Sequence, residues 1–451
     1  MTAGDEFRIT WEWEPAPGVH AAEHQATWAR IEIQVGPDWV TLVEDRESRS
    51  SRRSIYCSLY PLAEWVAYNW WSLQADSRPA NFLSQDPRHV NPASRQLPAA
   101  ARDHHSIRAS GDGFAWPDLL IVPDGRHTRF VWEADHPGPP NAPIRFLTRG
   151  DTWIKSDVVQ RELASLVTSV LTRLAERGVG GTVPHKEWDA LQHTTADEAE
   201  FCLAAARLGL DPYCGAEDYE QQIMRAWEVL PVPLLGDFLD AVEPARIDDA
   251  LAWISSAQRA IERASAKGVT NRRGRILQEL QGAVASVSKP AGAWRPEWDL
   301  GYDQARAVRA EVGLDNTAPF DVESYVSRVT RAGADVNLQA IGAPMVDQNP
   351  LVVIGRDRPQ TSLRFTLSRA LWHSLWNESP IFAVTSAHTS RQRVERAFAA
   401  ELLAPAQGIA ALLESPPPTA AQDDVERVAR RFGVSSMVID HQIRNRLVPA
   451  V

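Results

Sequence analysis

The spacing of the hydrophobic residues changes along this chain, and that change limits what it can fold into. Near the start, Phe7, Ile9, Trp11 and Trp13 alternate with Arg8, Thr10 and Glu12, and Ile31, Ile33 and Val35 alternate with Glu32 and Gln34. A period of two sets one face of a strand against a core. Gly36-Pro37-Asp38 predicts a turn into a further strand over residues 40–43, and residues 119–122 and 129–133 predict a hairpin about Pro123-Asp124-Gly125. Residues 61–73 are apolar at helical spacing. Beyond residue 150 the period lengthens: Leu163, Leu166, Val167, Val170 and Leu171 lie on one face of a helix. The Ala-rich run 198–208 is stopped by Gly209 and Pro212, and further helices are expected around 218–241 and 247–266.

At about 150 residues per domain, 451 residues suggest roughly three domains. The pattern predicts an α+β multidomain protein: a Trp-rich, mostly β domain over residues 1–150, a helical domain over 151–288, a Pro-containing linker over 289–298, and an α/β domain over 299–451 that ends in a helical unit at 423–447. Ten of the 17 Trp precede residue 154. Buried aromatics serve cores and interfaces alike, so this excess marks the first domain as the expected partner- or ligand-binding surface without naming the ligand.

Lys and Arg number 47 against 58 Asp and Glu, a net charge of −11, which argues against a protein that coats nucleic acid over its whole surface. The basic segment 267–275 reads as a solvated loop. The three cysteines, Cys57, Cys202 and Cys214, form no CxxC pair. With an acidic start and no apolar run of about 18 residues, they point to a cytoplasmic chain without membrane contact.

Two segments of the last third carry the chemistry. A strand is expected at 351–354, followed by Arg364-Phe-Thr-Leu-Ser-Arg-Ala-Leu-Trp-His373 and, downstream, Glu395-Arg-Ala-Phe-Ala-Ala-Glu-Leu-Leu-Ala-Pro405. This order resembles the ImmA/IrrE family of zinc metallopeptidase-like proteins, whose members carry a strand, a helix with FTLAHELGH and a second helix ending in FAAELLMP. The resemblance implies a zincin-like domain. Residues 208–213 also look like a segment found in long multidomain members.

In the HExxH motif two His one helical turn apart bind zinc, and the Glu activates a metal-bound water. Here the frame reads Arg369-Ala370-Leu371-Trp372-His373. Arg369 stands where the first ligand belongs; a guanidinium offers five donors, no acceptor and a permanent charge. Ala370 stands where the base belongs. The family's acidic third ligand falls on Gln392, and Glu395, about one turn later, is the nearest carboxylate. A zinc site needs three or four protein ligands, so no zinc, no catalytic residue and no proteolysis are expected, with His373 a packed core residue near Trp372 and Trp376. Arg369 is instead expected to reach Glu395, with Glu378 or Gln392 nearby, and to supply the positive charge of the missing metal.

Residues 425–446 fit a helix-turn-helix: Ala429 is the small residue of the first helix, Gly433 makes the turn, Val434 plugs it, Ser435 can cap the second helix, and Ile439 and Ile443 bury it. A DNA-reading second helix would present His441, Gln442, Arg444 and Asn445, with Arg446 on an exposed face. Such units also serve as plain packing motifs, and family members commonly end in one. In the N-terminal part, Asp118 with Glu133 and Asp135 resembles the acids that hold Mg²⁺ in PD-(D/E)xK nucleases, but Asp135 replaces the motif's Lys, so the pair reads as structural. His104, His105 and His136 lack ligand spacing. The resemblance therefore implies a non-catalytic regulatory or binding protein with a protein partner, in a toxin–antitoxin, mobile-element or phage-defence setting. A diverged zinc peptidase and a DNA-binding regulator are the alternatives.

Overall fold

Strand Phe7–Trp13 pairs antiparallel with Trp28–Val35, from Phe7 opposite Val35 to Trp13 opposite Ala29. The expected alternation is visible in the burial: Phe7 and Ile9 are covered while Arg8 and Thr10 are exposed. The computed structural model describes residues 6–16, 18–83, 97–135, 142–266, 274–287, 298–330, 337–345, 348–355, 359–376 and 379–448. Residues 267–273 of the basic loop and nearly all of the expected linker lie outside these. The chain divides into two compact units, Met1–Asp218 and Tyr219–Val451.

In the first unit the central strand Trp28–Val35 also pairs with Ile55–Ser58 and with the short Asp38–Trp39. Gly36 supplies the left-handed turn at φ 58°. The single strand expected over 40–43 does not form; strand pairing is confined to Asp38–Trp39 and Val43–Asp45. The reason lies in Thr41, whose hydroxyl accepts from Ile33 N at 2.9 Å and donates to the Arg53 carbonyl at 2.7 Å, so a side chain takes over ladder bonds. The hairpin does form, from Asp118–Asp124 and His127–Glu133, and Gly150–Lys155 joins its second strand. Gly150 is required there: a Cβ would lie 2.1 Å from the Trp132 ring. Helix Ser156–Glu176 buries Leu163, Leu166, Val167, Val170 and Leu174. Helices Val183–His193 and Ala196–Arg207 follow, the latter ended by Gly209 at φ 71°.

The second unit begins with helices Glu220–Val229, Val232–Ala241 and Ile247–Ala266. Its sheet runs in the order Ser327–Thr330, Gln348–Ile354, Leu338–Met345, Phe382–Thr385; the first pair is parallel and the others antiparallel. Helix Gln360–Trp376 is buried on nearly every side from Thr366 to Leu375, as a helix at the centre of a domain must be. Helix Ser390–Leu403 packs beside it, and helix Asp299–Glu311 closes on that one at Gly301, where a Cβ would meet Val394 O at 2.2 Å. The terminal pair, Gln422–Phe432 and Ser436–Gln442, is joined by Gly433 at φ 67°, with Ala429, Val434, Ile439 and Ile443 buried as expected. Ser435 holds the N-cap position, but its side chain makes no capping bond. The protein is thus mixed α/β, and among the described residues no helix is long and apolar enough to cross a membrane.

Candidate functional site: a buried charge network

Helix Gln360–Trp376 carries Arg369 and His373 one turn apart, and helix Ser390–Leu403 carries Gln392 and Glu395 facing them. Glu395 is fully buried and Arg369 is 2% exposed. Arg369 donates through Nε to Glu395 Oε1 at 2.8 Å and through Nη2 to the same oxygen. Its remaining donors reach Gln339 Oε1 at 3.1 Å and the Thr385 carbonyl at 2.7 Å. The expected guanidinium–carboxylate contact between the two helices is therefore present, and Arg369 faces inward.

His373 takes the other oxygen of Glu395 through Nε2. Its Nδ1 lies 3.2 Å from Arg391 Nη2 and must accept there, because a guanidinium only donates. The proton accordingly sits on Nε2. The ring stacks on Phe382 with centroids 4.8 Å apart, so His373 is packed, as expected. Burial alone would raise the Glu395 carboxyl, but Arg369 and His373 outweigh it and hold the group at about 2. Glu395 stays ionised, with both oxygens committed to the protein.

The sequence reading missed Asp237. It lies in helix Val232–Ala241, accepts from Gln392 Nε2 at 2.6 Å and pairs with Arg391 Nη1 at 3.2 Å. Burial pushes its carboxyl up, against the pull of Arg391. The signal was available: two acids, Asp237 and Asp240, interrupt the otherwise apolar run VPLLGDFLDA, and both are buried. Gln392 turns to Asp237 rather than to Glu395. Glu378 lies outside the described residues.

A zinc ion, which the family resemblance implies, does not fit these residues. One ligand position holds a cation, the base position holds a methyl group, and both Glu395 oxygens and both His373 nitrogens already have protein partners. Among the described residues, no three His, Cys, Asp or Glu side chains are grouped to hold a metal.

Residues 331–444 match the family model of the IrrE N-terminal-like domain, a peptidase family. This region is ImmA/IrrE-like. The match spans the degenerate helix, the second helix and the terminal helical pair, and leaves residues 1–330 and 445–451 outside it. No curated protein and no solved structure matches the chain.

In the terminal unit of this ImmA/IrrE-like region, one of the four residues expected to face DNA is turned inward. Gln442 is buried and donates to Glu401 Oε2 at 2.8 Å and to the Ala404 carbonyl at 3.0 Å, so it is withdrawn from any base edge. Asn445 hydrogen-bonds Tyr302. Arg446, expected on an exposed face, pairs with Asp299 at 3.0 Å and lies over the Tyr302 ring at 4.6 Å. His441, Arg444 and Asn445 remain exposed.

In the first unit Asp118 lies opposite Glu133 across the hairpin, while Arg108 donates to Asp135 Oδ1 at 2.6 Å and stands 3.9 Å from Asp118. His105 is buried between the Ile121 carbonyl and Asp76, and His104 contacts Asn69; His136 lies outside the described residues. Much of the Trp excess is core: Trp65, Trp71, Trp116 and Trp132 are buried. Trp11 and Trp13 are half-buried and line an open cleft of 260 Å³ with Thr168, Thr172 and Arg173.

Proposed function

We propose that the ImmA/IrrE-like region is a pseudopeptidase, which keeps the fold of a zincin domain and acts by binding a protein partner rather than by cutting one. The observation that carries this reading is the Arg369–Glu395 pair, which puts a permanent guanidinium charge into the position of the first metal ligand and uses up the nearest carboxylate. Hydrolysis needs a polarised carbonyl and an activated water, and Ala370 has no atom that can take a proton. The covering helix with Asp237 adds to the argument, because it ties up Gln392 and Arg391 from outside the two motif helices.

A regulatory role beside a toxin, repressor or mobile-element component follows from the family resemblance, and the free cysteines favour a cytoplasmic setting. In the first unit, the open Trp11–Trp13 cleft is the surface to test for a ligand. The experiment is co-purification from the native host under zinc-replete and chelated conditions. The proposal predicts the same partner, uncleaved, in both. Zinc-dependent cleavage of that partner by the wild type would end it and favour the diverged peptidase.

A further inference from the structure

The closed network leaves one cation over, at a place where two buried donors have nothing to bind. Arg396 follows Glu395 on helix Ser390–Leu403, and its side chain runs back toward the start of the helix, as helical side chains do. Its Nη2 reaches the Ser386 carbonyl at 3.0 Å and the Thr385 carbonyl at 3.4 Å. Its Nη1 is buried and has no hydrogen-bond partner among the described residues, and neither has the hydroxyl of Thr385, a residue with no exposed surface. The nearest carboxylate cannot serve Arg396, since Glu395 Oε1 is held by Arg369 and Oε2 by His373. An unpaired buried donor costs about 1–3 kcal/mol, and more when charged.

The surroundings are mainly cationic, with the Glu395 charge also acting on Arg396. The loop from Thr385 to helix Ser390–Leu403 carries His388, which is half-buried and feels the charges of Arg396, Arg393 and Arg369. His441, exposed on the second terminal helix, lies close enough to add to that field. Solvent reaches His388 and His441, while beside them Arg396 Nη1 and the Thr385 hydroxyl lie buried with no acceptor among the described residues.

We propose that Arg396, Thr385 and His388 bind a phosphate-class oxyanion, either free or carried by a larger molecule. A tetrahedral anion can accept from all three donors at once, and charge-assisted bonds to Arg are the strongest of these. A phosphate brings more acceptor oxygens and up to two negative charges to these donors, against the two oxygens and single charge of a carboxylate. The site does not depend on whether the domain hydrolyses peptides, so its test and that of the pseudopeptidase reading can fail separately.

The test uses the full chain at constant ionic strength, with calorimetric titration and thermal unfolding in sodium phosphate, sodium acetate, sodium chloride and a short DNA duplex. Saturable phosphate binding that exceeds acetate, with a matching rise in Tm, is expected. Arg396→Met should weaken it about tenfold or more, the worth of a charge-assisted bond. His388→Gln should weaken it several-fold without loss of fold, which keeps the test decisive if Arg396→Met does not fold. A duplex that binds more tightly than free phosphate and shares the dependence on His388 assigns the anion to a nucleic-acid backbone; equal or weaker duplex binding assigns it to free or small phosphate. The proposal is overturned if phosphate binds no better than acetate, or if its binding is unchanged in His388→Gln and in any folded Arg396→Met protein.

Discussion

Replacing Arg369 with Met removes the positive member of a pair that is 2% and 0% exposed, while keeping most of the side-chain volume. Glu395 would keep His373 at one oxygen and lose both guanidinium bonds at the other. Breaking a buried pair from one side costs about 3–5 kcal/mol, because the remaining charge stays out of water without compensation. The Gln339 and Thr385 acceptors also lose their donor, which adds to the penalty. For a folding unit of this size roughly 2–4 °C accompany each kcal/mol, so the transition of Tyr219–Val451 should fall by about 6–20 °C. The second arm is Glu395→Gln in the Arg369→Met background. Neutralising the stranded carboxylate should recover a large part of the loss, giving a coupling energy of about 2 kcal/mol or more. Chemical denaturation of the four proteins measures it. If Arg369→Met costs less than about 1 kcal/mol, the value for an exposed pair, and the double variant recovers nothing, then Arg369 does not stand in for the metal.

Three further outcomes follow from the same contacts. Arg369→His should not yield peptidase activity against a panel of unfolded protein substrates in excess zinc, because Ala370 still offers no base; turnover in that variant alone would show that a base exists elsewhere. Gln442→Leu should destabilise the second unit by about 1–3 kcal/mol, since buried Glu401 loses a donor, whereas His441→Ala should stay within about 0.5 kcal/mol; equal small effects would return Gln442 to the surface. Stability should fall on acidification in two overlapping steps. His388 is held down to about 3 by burial and by Arg396, Arg393 and Arg369, so the unfolded chain takes up a proton below about pH 6.5 that the folded one refuses until about 3. Glu395, held at about 2, adds a loss between about pH 4.5 and 2. His388→Gln should flatten the upper step in urea titrations at successive pH values, and an unchanged slope between pH 6 and 4 would contradict the assignment.

The elements that the sequence disclosed best are those whose pattern is set by burial. Period-two alternation located strands Phe7–Trp13 and Trp28–Val35, and Gly433 with Val434 located the terminal turn. Where side chains replace backbone bonds the pattern misleads: Thr41 interrupts the strand expected over 40–43. At the site, the substitutions in the HExxH frame were legible because a lost ligand and a lost base are matters of residue chemistry. The place of Asp237 at the site was not, because Gln392, which it reaches, lies 155 residues further along the chain, and no local spacing connects the two. The burial of Gln442 was equally hidden, since a Gln on a helix face gives no sign of whether its partner is solvent or a buried Glu401.

Zinc stoichiometry tests most directly whether the position of the metal is closed. Protein purified without chelator, equilibrated with excess zinc and freed of unbound metal, should contain far less than one zinc per chain by elemental analysis. His373→Ala should leave that value unchanged. One zinc per chain in the wild type, lost in His373→Ala, would contradict the closed network and return the domain to the metallopeptidases.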